Sequence, residues 1–156
     1  MKTKQAIASL MFGMLAIVAG SANAQSWSKE QAEVWQVVLD SYKDIDAQDA
    51  SWSERWVFPD AMVWGPDYPM PRSRDSVRRW DAYNFAGSKN HVAEYAPAAI
   101  VVHGSTAVAH YYYTNASEDR EGKHETMHGR CTDVLAKDGQ NWKFIAWHCG
   151  DEPNDD

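Results

Sequence analysis

Three consecutive segments near the C-terminus hold most of the side chains that could do chemistry. They are Ala107 to Thr114, His124 to Leu135 and Trp142 to Cys149. Each has the β-branched and aromatic content of a strand. Strict alternation puts Val108, His110 and Tyr112 on one face, then His128, Arg130 and Thr132, then Trp142, Phe144, Ala146 and His148. A histidine in such a set is a candidate general base, and an arginine is a fixed fork for a carboxylate or carbonyl oxygen. His110, His128 and His148 are therefore the candidate catalytic residues, and Arg130 and Tyr112 the candidate ligand grips. Phe144, with Tyr42 from the first helix and Trp64 and Trp80 from the loops and helices between, would wall the pocket. The alternative is a polar patch whose members satisfy one another.

Register carries this reading. A three-residue loop around Asp138-Gly139 pairs Lys137 with Asn141. Arg130 then lies opposite His148, and Cys131 and Cys149 are related only diagonally, near the reach of a disulfide. A compatible register in the preceding hairpin sets His110 beside Arg130 and Tyr112 beside His128. The opposite face takes Ala107, Ala109, Tyr111, Tyr113, Cys131, Asp133, Leu135, Ile145 and Trp147. That face is apolar enough to need covering, and a second copy of the chain is the expected cover.

His124-Glu125-Thr126-Met127-His128 matches the zinc-protease pattern H-E-x-x-H. That chemistry needs a helix, where i and i+4 meet. On a strand the two histidines stand roughly 13 Å apart at ~3.3 Å per residue. No metal and no cofactor are expected.

The rest of the chain positions these residues. Lys2 and Lys4, the apolar run Ile7 to Gly20 and Ala22-Asn23-Ala24 form a secretory signal peptide over residues 1–24, too short for a spanning helix. Residues 25–150 form one domain, and 151–156 an acidic flexible tail. A periplasmic or secreted product is expected. The formal charge of −7, more negative once the two leader lysines go, argues against nucleic acid and anionic membrane as partners. Ser28 caps a helix with Val34, Trp35, Val38, Leu39, Tyr42 and Ile45 at helical spacing. Ser51 to Trp56 is a second short helix, Asp60 to Trp64 a short strand, and Ser73 or Asp75 opens a third helix. Tyr68 to Arg72 reads as loop, Gly87 to Asn90 as a turn, and Asn115 to Gly122 as a polar hairpin loop. Helices first and an antiparallel meander second make the class α+β.

The order of elements, with Phe58-Pro59-Asp60-Ala61-Met62-Val63-Trp64-Gly65-Pro66, Pro71-Arg72-Ser73, Gly129-Arg130-Cys131-Thr132-Asp133-Val134-Leu135 and Trp142-Lys143-Phe144-Ile145-Ala146-Trp147-His148, resembles the nuclear transport factor 2-like superfamily in its SnoaL-like branch. The resemblance implies a cone: a curved antiparallel sheet packed on about three N-terminal helices, enclosing a pocket, with dimers built on the sheet. It implies a range of activities, from ketosteroid isomerases, polyketide cyclases, epoxide hydrolases and dehydratases to non-catalytic modules. The isomerases use a helix tyrosine, for which Tyr42 would stand, a strand aspartate and a second buried acid. With Asp133 on the outer face, no inward carboxylate is expected here. Three functions follow. One is an exported protein that binds a small organic molecule bearing a carboxylate or carbonyl. Another is a lyase or isomerase with a pocket histidine as base. The last is a dimeric structural or interaction module.

Overall fold

The computed structural model describes residues 26–66 and 68–152. The signal-peptide reading, residues 1–24, lies outside them. The first helix, α1 (Lys29–Asp46), starts where the sequence places it. Ser28 accepts from the Gln31 amide and Gln31 returns a bond to the Ser28 amide, a complete capping box. Its Val34 and Val38 are fully buried. After α2 (Trp52–Trp56) come two short strands, β1 (Met62–Val63) and β2 (Arg72–Ser73), which pair antiparallel. The second of these falls at the end of a stretch expected to be loop. Ser73 then caps α3 (Arg74–Phe85).

Four long strands follow: β3 (Lys89–His103), β4 (Thr106–Glu118), β5 (His124–Asp138) and β6 (Asn141–Asp151). They form one antiparallel sheet in sequence order, the meander expected. The sheet is curved, with bulges interrupting the β3–β4 and β5–β6 ladders. A bulge adds one unpaired residue, bends its strand and increases local twist. The strands also run further than expected. Asn115 to Glu118 belong to β4, and Lys89 and Asn90 to β3, because each finds a ladder partner across the hairpin. At the C-terminus Asp151 is still in β6 opposite Gly129, so the acidic tail cannot begin there. The Glu152 amide also donates to the His128 carbonyl at 2.8 Å.

The helices cover the face carrying Ala107, Ala109, Tyr111, Cys131, Asp133 and Leu135, all buried. This reverses the expected orientation. Ala107 and Ala109 explain the choice: their small side chains let α1 seat Val34 and Val38 on the sheet in one core. Trp35 meets Tyr111 edge-on with ring centroids 5.5 Å apart. The face expected to need a partner subunit is therefore filled from within the chain.

Two features of the last hairpin break strict alternation. Asp138 pairs with Asn141, so the loop is two residues, with Gly139 at φ 64° as a tight hairpin requires. Leu135 then pairs with Phe144 but Val134 with Ala146, leaving Ile145 as the extra bulge residue. Trp142 and Phe144 point into the core before the bulge, and Trp147 and Cys149 are the core-side residues after it. Ala146 and His148 are thrown to the other side. The same shift sets Cys131 directly opposite Cys149, and the two form a disulfide.

Candidate functional site

The placement of the sequence-predicted residues divides cleanly. His110, His128, Arg130 and His148 are exposed on the outer face of the sheet, and Tyr112 is 53 % exposed there. In the observed register Tyr112 lies opposite Arg130, and His110, Thr132 and His148 make a row across β4, β5 and β6. His110 Nδ1 bonds Thr132 Oγ1 at 2.9 Å, and His128 Nδ1 bonds Thr114 Oγ1 at 3.0 Å. These side chains lie on the exposed face of the sheet and not at the cavity in the core. Trp64 also lies outside, 42 % exposed, its ring edge-on to His148 at 5.8 Å. Trp80 is 43 % exposed, packed against Tyr83 with the Arg72 guanidinium over its ring. Of the nine residues singled out, only Tyr42 and Phe144 line a cavity in the core.

That cavity has a volume of about 170 Å³ and lies between the helices and the inner face of the sheet. From α1 come Ser41, Tyr42 and Ile45, and from α2 comes Trp52. Val77 and Asp81 come from α3, Tyr68 from the loop before it, and Asp133, Phe144 and Trp147 from β5 and β6. A cavity of about 150 Å³ accepts a benzene-sized molecule, so this one suits a ligand of roughly one ring.

Two carboxyls face this apolar space, and burial disturbs both. Asp133 sits in the middle of β5 between Cys131 and Leu135, and is 3 % exposed. Loss of hydration raises its pKa to about 7, against a smaller lowering by the Tyr111 hydroxyl. Asp81 accepts from Trp52 Nε1 at 2.8 Å, and burial raises it to about 6 despite that bond. Trp52 is 5 % exposed and serves as a donor inside the core.

A chain of hydroxyls reaches Asp133. The Tyr42 and Tyr111 hydroxyls are 2.8 Å apart, and Tyr111 interacts with the Asp133 carboxyl. Tyr42 also stacks on Tyr95 at 4.0 Å and contacts the disulfide sulfur of Cys131 at 3.9 Å. Burial, with the Asp133 charge second, pushes both tyrosines well above their usual range. They remain protonated donors at any working pH. Of the two, Tyr42 lines the cavity, and a neutral donor there stabilises negative charge on a bound oxygen. A carboxyl poised near neutrality can give or take a proton there.

Asp81, Asp133, Tyr111 and Trp52 were missed as site residues. One signal was available: in Cys131-Thr132-Asp133-Val134-Leu135 the aspartate alternates with residues that belong in a core. A lone carboxylate in phase with the core is a candidate for a shifted pKa.

A helix-backed curved antiparallel sheet around a small cavity defines the nuclear transport factor 2-like class, and the comparisons agree. The sequence profile of the SnoaL-like domain matches residues 22–149, and the chain belongs to that family. Among solved structures, a ketosteroid isomerase-like protein from Erwinia carotovora atroseptica superposes with a TM-score of 0.72 at 12 % identity, over 82 % of this chain and 100 % of that one. A nuclear transport factor 2-like superfamily protein from Salmonella enterica serovar Typhimurium gives 0.67 at 18 % identity, over 81 % and 93 %. A Streptomyces avermitilis protein, provisionally described as a dehydratase of the same family, gives 0.66 at 17 %, over 79 % and 97 %. At these identities the superpositions establish a shared fold and no more. Comparison with curated protein sequences finds no match.

Proposed function

We propose that this protein binds a small carbonyl-bearing organic molecule in the inner cavity and moves a proton within it, as a lyase or isomerase does. The observation that carries this reading is Asp133, a buried carboxyl on the cavity wall with a pKa of about 7. The base in this proposal is an aspartate, because among the described residues no histidine lines the cavity. Between pH 6 and 7 the prevailing state has Asp81 ionised and Asp133 neutral. Asp81 then takes a proton from the carbon beside the carbonyl. The oxygen, gaining charge, is held by the Tyr42 hydroxyl, and Asp133 supplies the returning proton directly or through Tyr111. Two carboxyls whose environments separate their pKa values divide the acid and base roles in this way. The family contains ligand-binding and isomerase- or dehydratase-type proteins, and both fit a cavity of this size.

The test follows small cyclic ketones and 3-hydroxy acids by NMR in D2O with the full mature protein. Wild type should accelerate exchange of the hydrogen beside the carbonyl. Asp133→Asn and Asp81→Asn should each lose about 100-fold or more of that rate, while ligand shifts persist. Binding with no exchange in any case would reduce the function to ligand binding alone.

We also propose export and self-association. Export is supported by the leader-like residues 1–24 and by the Cys131–Cys149 disulfide, which suits an oxidising compartment. Self-association is proposed through the outer sheet face, where Val92, Val101 and Tyr112 are each more than half exposed. Sedimentation should give a dimer that Val101→Asp dissociates; a wild-type monomer would refute it. Among the described residues no helix is long and apolar enough to cross a membrane.

A further inference from the structure

At the end of the sheet reached by the β3 start, the β4–β5 hairpin gathers a second constellation, unconnected to the cavity. His91 lies in β3, Glu118 at the end of β4 and His124 at the start of β5. Glu118 and His124 are direct ladder partners, so their side chains share a face. His91 is the extra residue of a bulge, since Asn90 pairs with Ser117 and Val92 with Ala116. Bulges re-aim side chains, and here the bulge brings His91 Nε2 to 3.1 Å from Glu118 Oε2. The His91 and His124 rings lie 5.5 Å apart by centroid. One ligand atom from each of the three residues falls within 4.8 Å of the other two.

We propose that His91, Glu118 and His124 bind a divalent zinc ion. Two imidazole nitrogens and one carboxylate oxygen form the three-protein-ligand set of open zinc sites, with water completing the tetrahedron. At zinc–ligand distances of about 2.0–2.2 Å, tetrahedral donors sit about 3.3–3.6 Å from one another. The His91–Glu118 separation is already close to this, and His124 needs only a rotamer-scale adjustment at an exposed position. Mixed nitrogen and oxygen donors favour zinc over magnesium or calcium, which prefer all-oxygen shells. The ion would tie together three strand ends, adding to the ladder and to the His91–Glu118 contact. His124 thus acts without its H-E-x-x-H partner: β5 is extended, so His128 lies well along the strand, bonded to Thr114. The ligands come from three strands, which no linear motif records.

The experiment titrates zinc chloride into the full mature protein, free of any histidine tag, by calorimetry and by NMR of the histidine rings. One ion per chain should bind, and the ring signals of His91 and His124 should move together while those of His110 and His148 stay. Loss of an outer-shell partner alone costs metal sites about 10–100-fold in affinity, so His91→Ala and His124→Ala should each weaken binding at least about tenfold. His110→Ala should leave it unchanged. Zinc that moves His110 and His148 instead, binds the His91→Ala/His124→Ala variant undiminished, or does not bind wild type at all would overturn the proposal. The wild-type NMR mapping is decisive even if a variant misfolds, and catalytic exchange in the cavity is not required for any of these readings.

Discussion

The hydroxyls of Tyr42 and Tyr111 lie 2.8 Å apart, one on a helix and the other on the strand beneath it. The pair links the cavity wall to the carboxyl of Asp133 through atoms that are almost wholly desolvated. Tyr42→Phe removes the hydroxyl proposed to hold the ligand oxygen and leaves Tyr111 with one partner fewer. Leaving a buried polar group short of a partner costs about 1–3 kcal/mol. Binding of a small ketone, followed by calorimetry, should weaken by roughly tenfold or more. An affinity equal to wild type would remove Tyr42 from the site.

Asp133 makes stability depend on pH with a definite sign. Its carboxyl titrates near 7 when folded and near the ordinary 3.8 when unfolded. Between those values the folded chain holds a proton that the unfolded chain has released. Stability is therefore full below about pH 4, falls as pH rises toward 7, and levels off above it. The total change from this group is about 4 kcal/mol. Asp133→Asn has no proton to lose and should show a flatter profile and greater stability than wild type at pH 8. Urea unfolding at pH 5 and pH 8 checks this, and equal slopes in the two proteins would count against it.

Trp52 tunes the second carboxyl. Its indole N–H donates to Asp81 and partly offsets the effect of burial. Trp52→Phe should raise the Asp81 pKa above about 6, so the acid limb of any Asp81-dependent activity should move to higher pH. Carboxyl-carbon NMR reads this directly. A shift downward would mean that the indole bond is not what restrains the charge.

The disulfide closes a loop with a sequence separation of 18. A loop of that size restricts the unfolded chain by about 3 kcal/mol. The Cys131→Ser/Cys149→Ser variant, or the protein in reducing buffer, should unfold at correspondingly lower denaturant. No change in midpoint would show that the strands hold each other equally well without the bond.

The outer histidines supply a negative control. His110 and His148 stand across the sheet from the cavity, exposed on either side of Thr132. His110→Asn and His148→Asn should leave cavity binding within about a factor of two, since surface changes away from such features usually stay within about 0.5 kcal/mol. Arg130→Ala should do the same. Loss of ligand affinity in any of these would return the site to the outer face.

The elements themselves were legible from composition and spacing. Ser28 announced α1, the apolar residues of α1 recur at helical intervals, and Ser73 opened α3. The meander followed from strands punctuated by turns such as Asp138-Gly139, and the family resemblance from the order of the elements. Those are local signals, carried by residues a few positions apart. Which face of the sheet turns inward is not local. Because side chains alternate with a period of two, one inserted residue inverts the phase of all that follows. Trp142 and Phe144 are core residues, and alternation carried their phase on to His148, but the bulge at Ile145 lies between them. Chaining that phase through the ladders turned His110, Tyr112 and Arg130 inward with it and sent Asp133 outward. Sequence alone therefore determined the strands, the helices and the list of reactive side chains. The tertiary structure decided which of them are dry: α1 fits closely over Ala107 and Ala109, and that packing buries Asp133 while leaving the histidines in water.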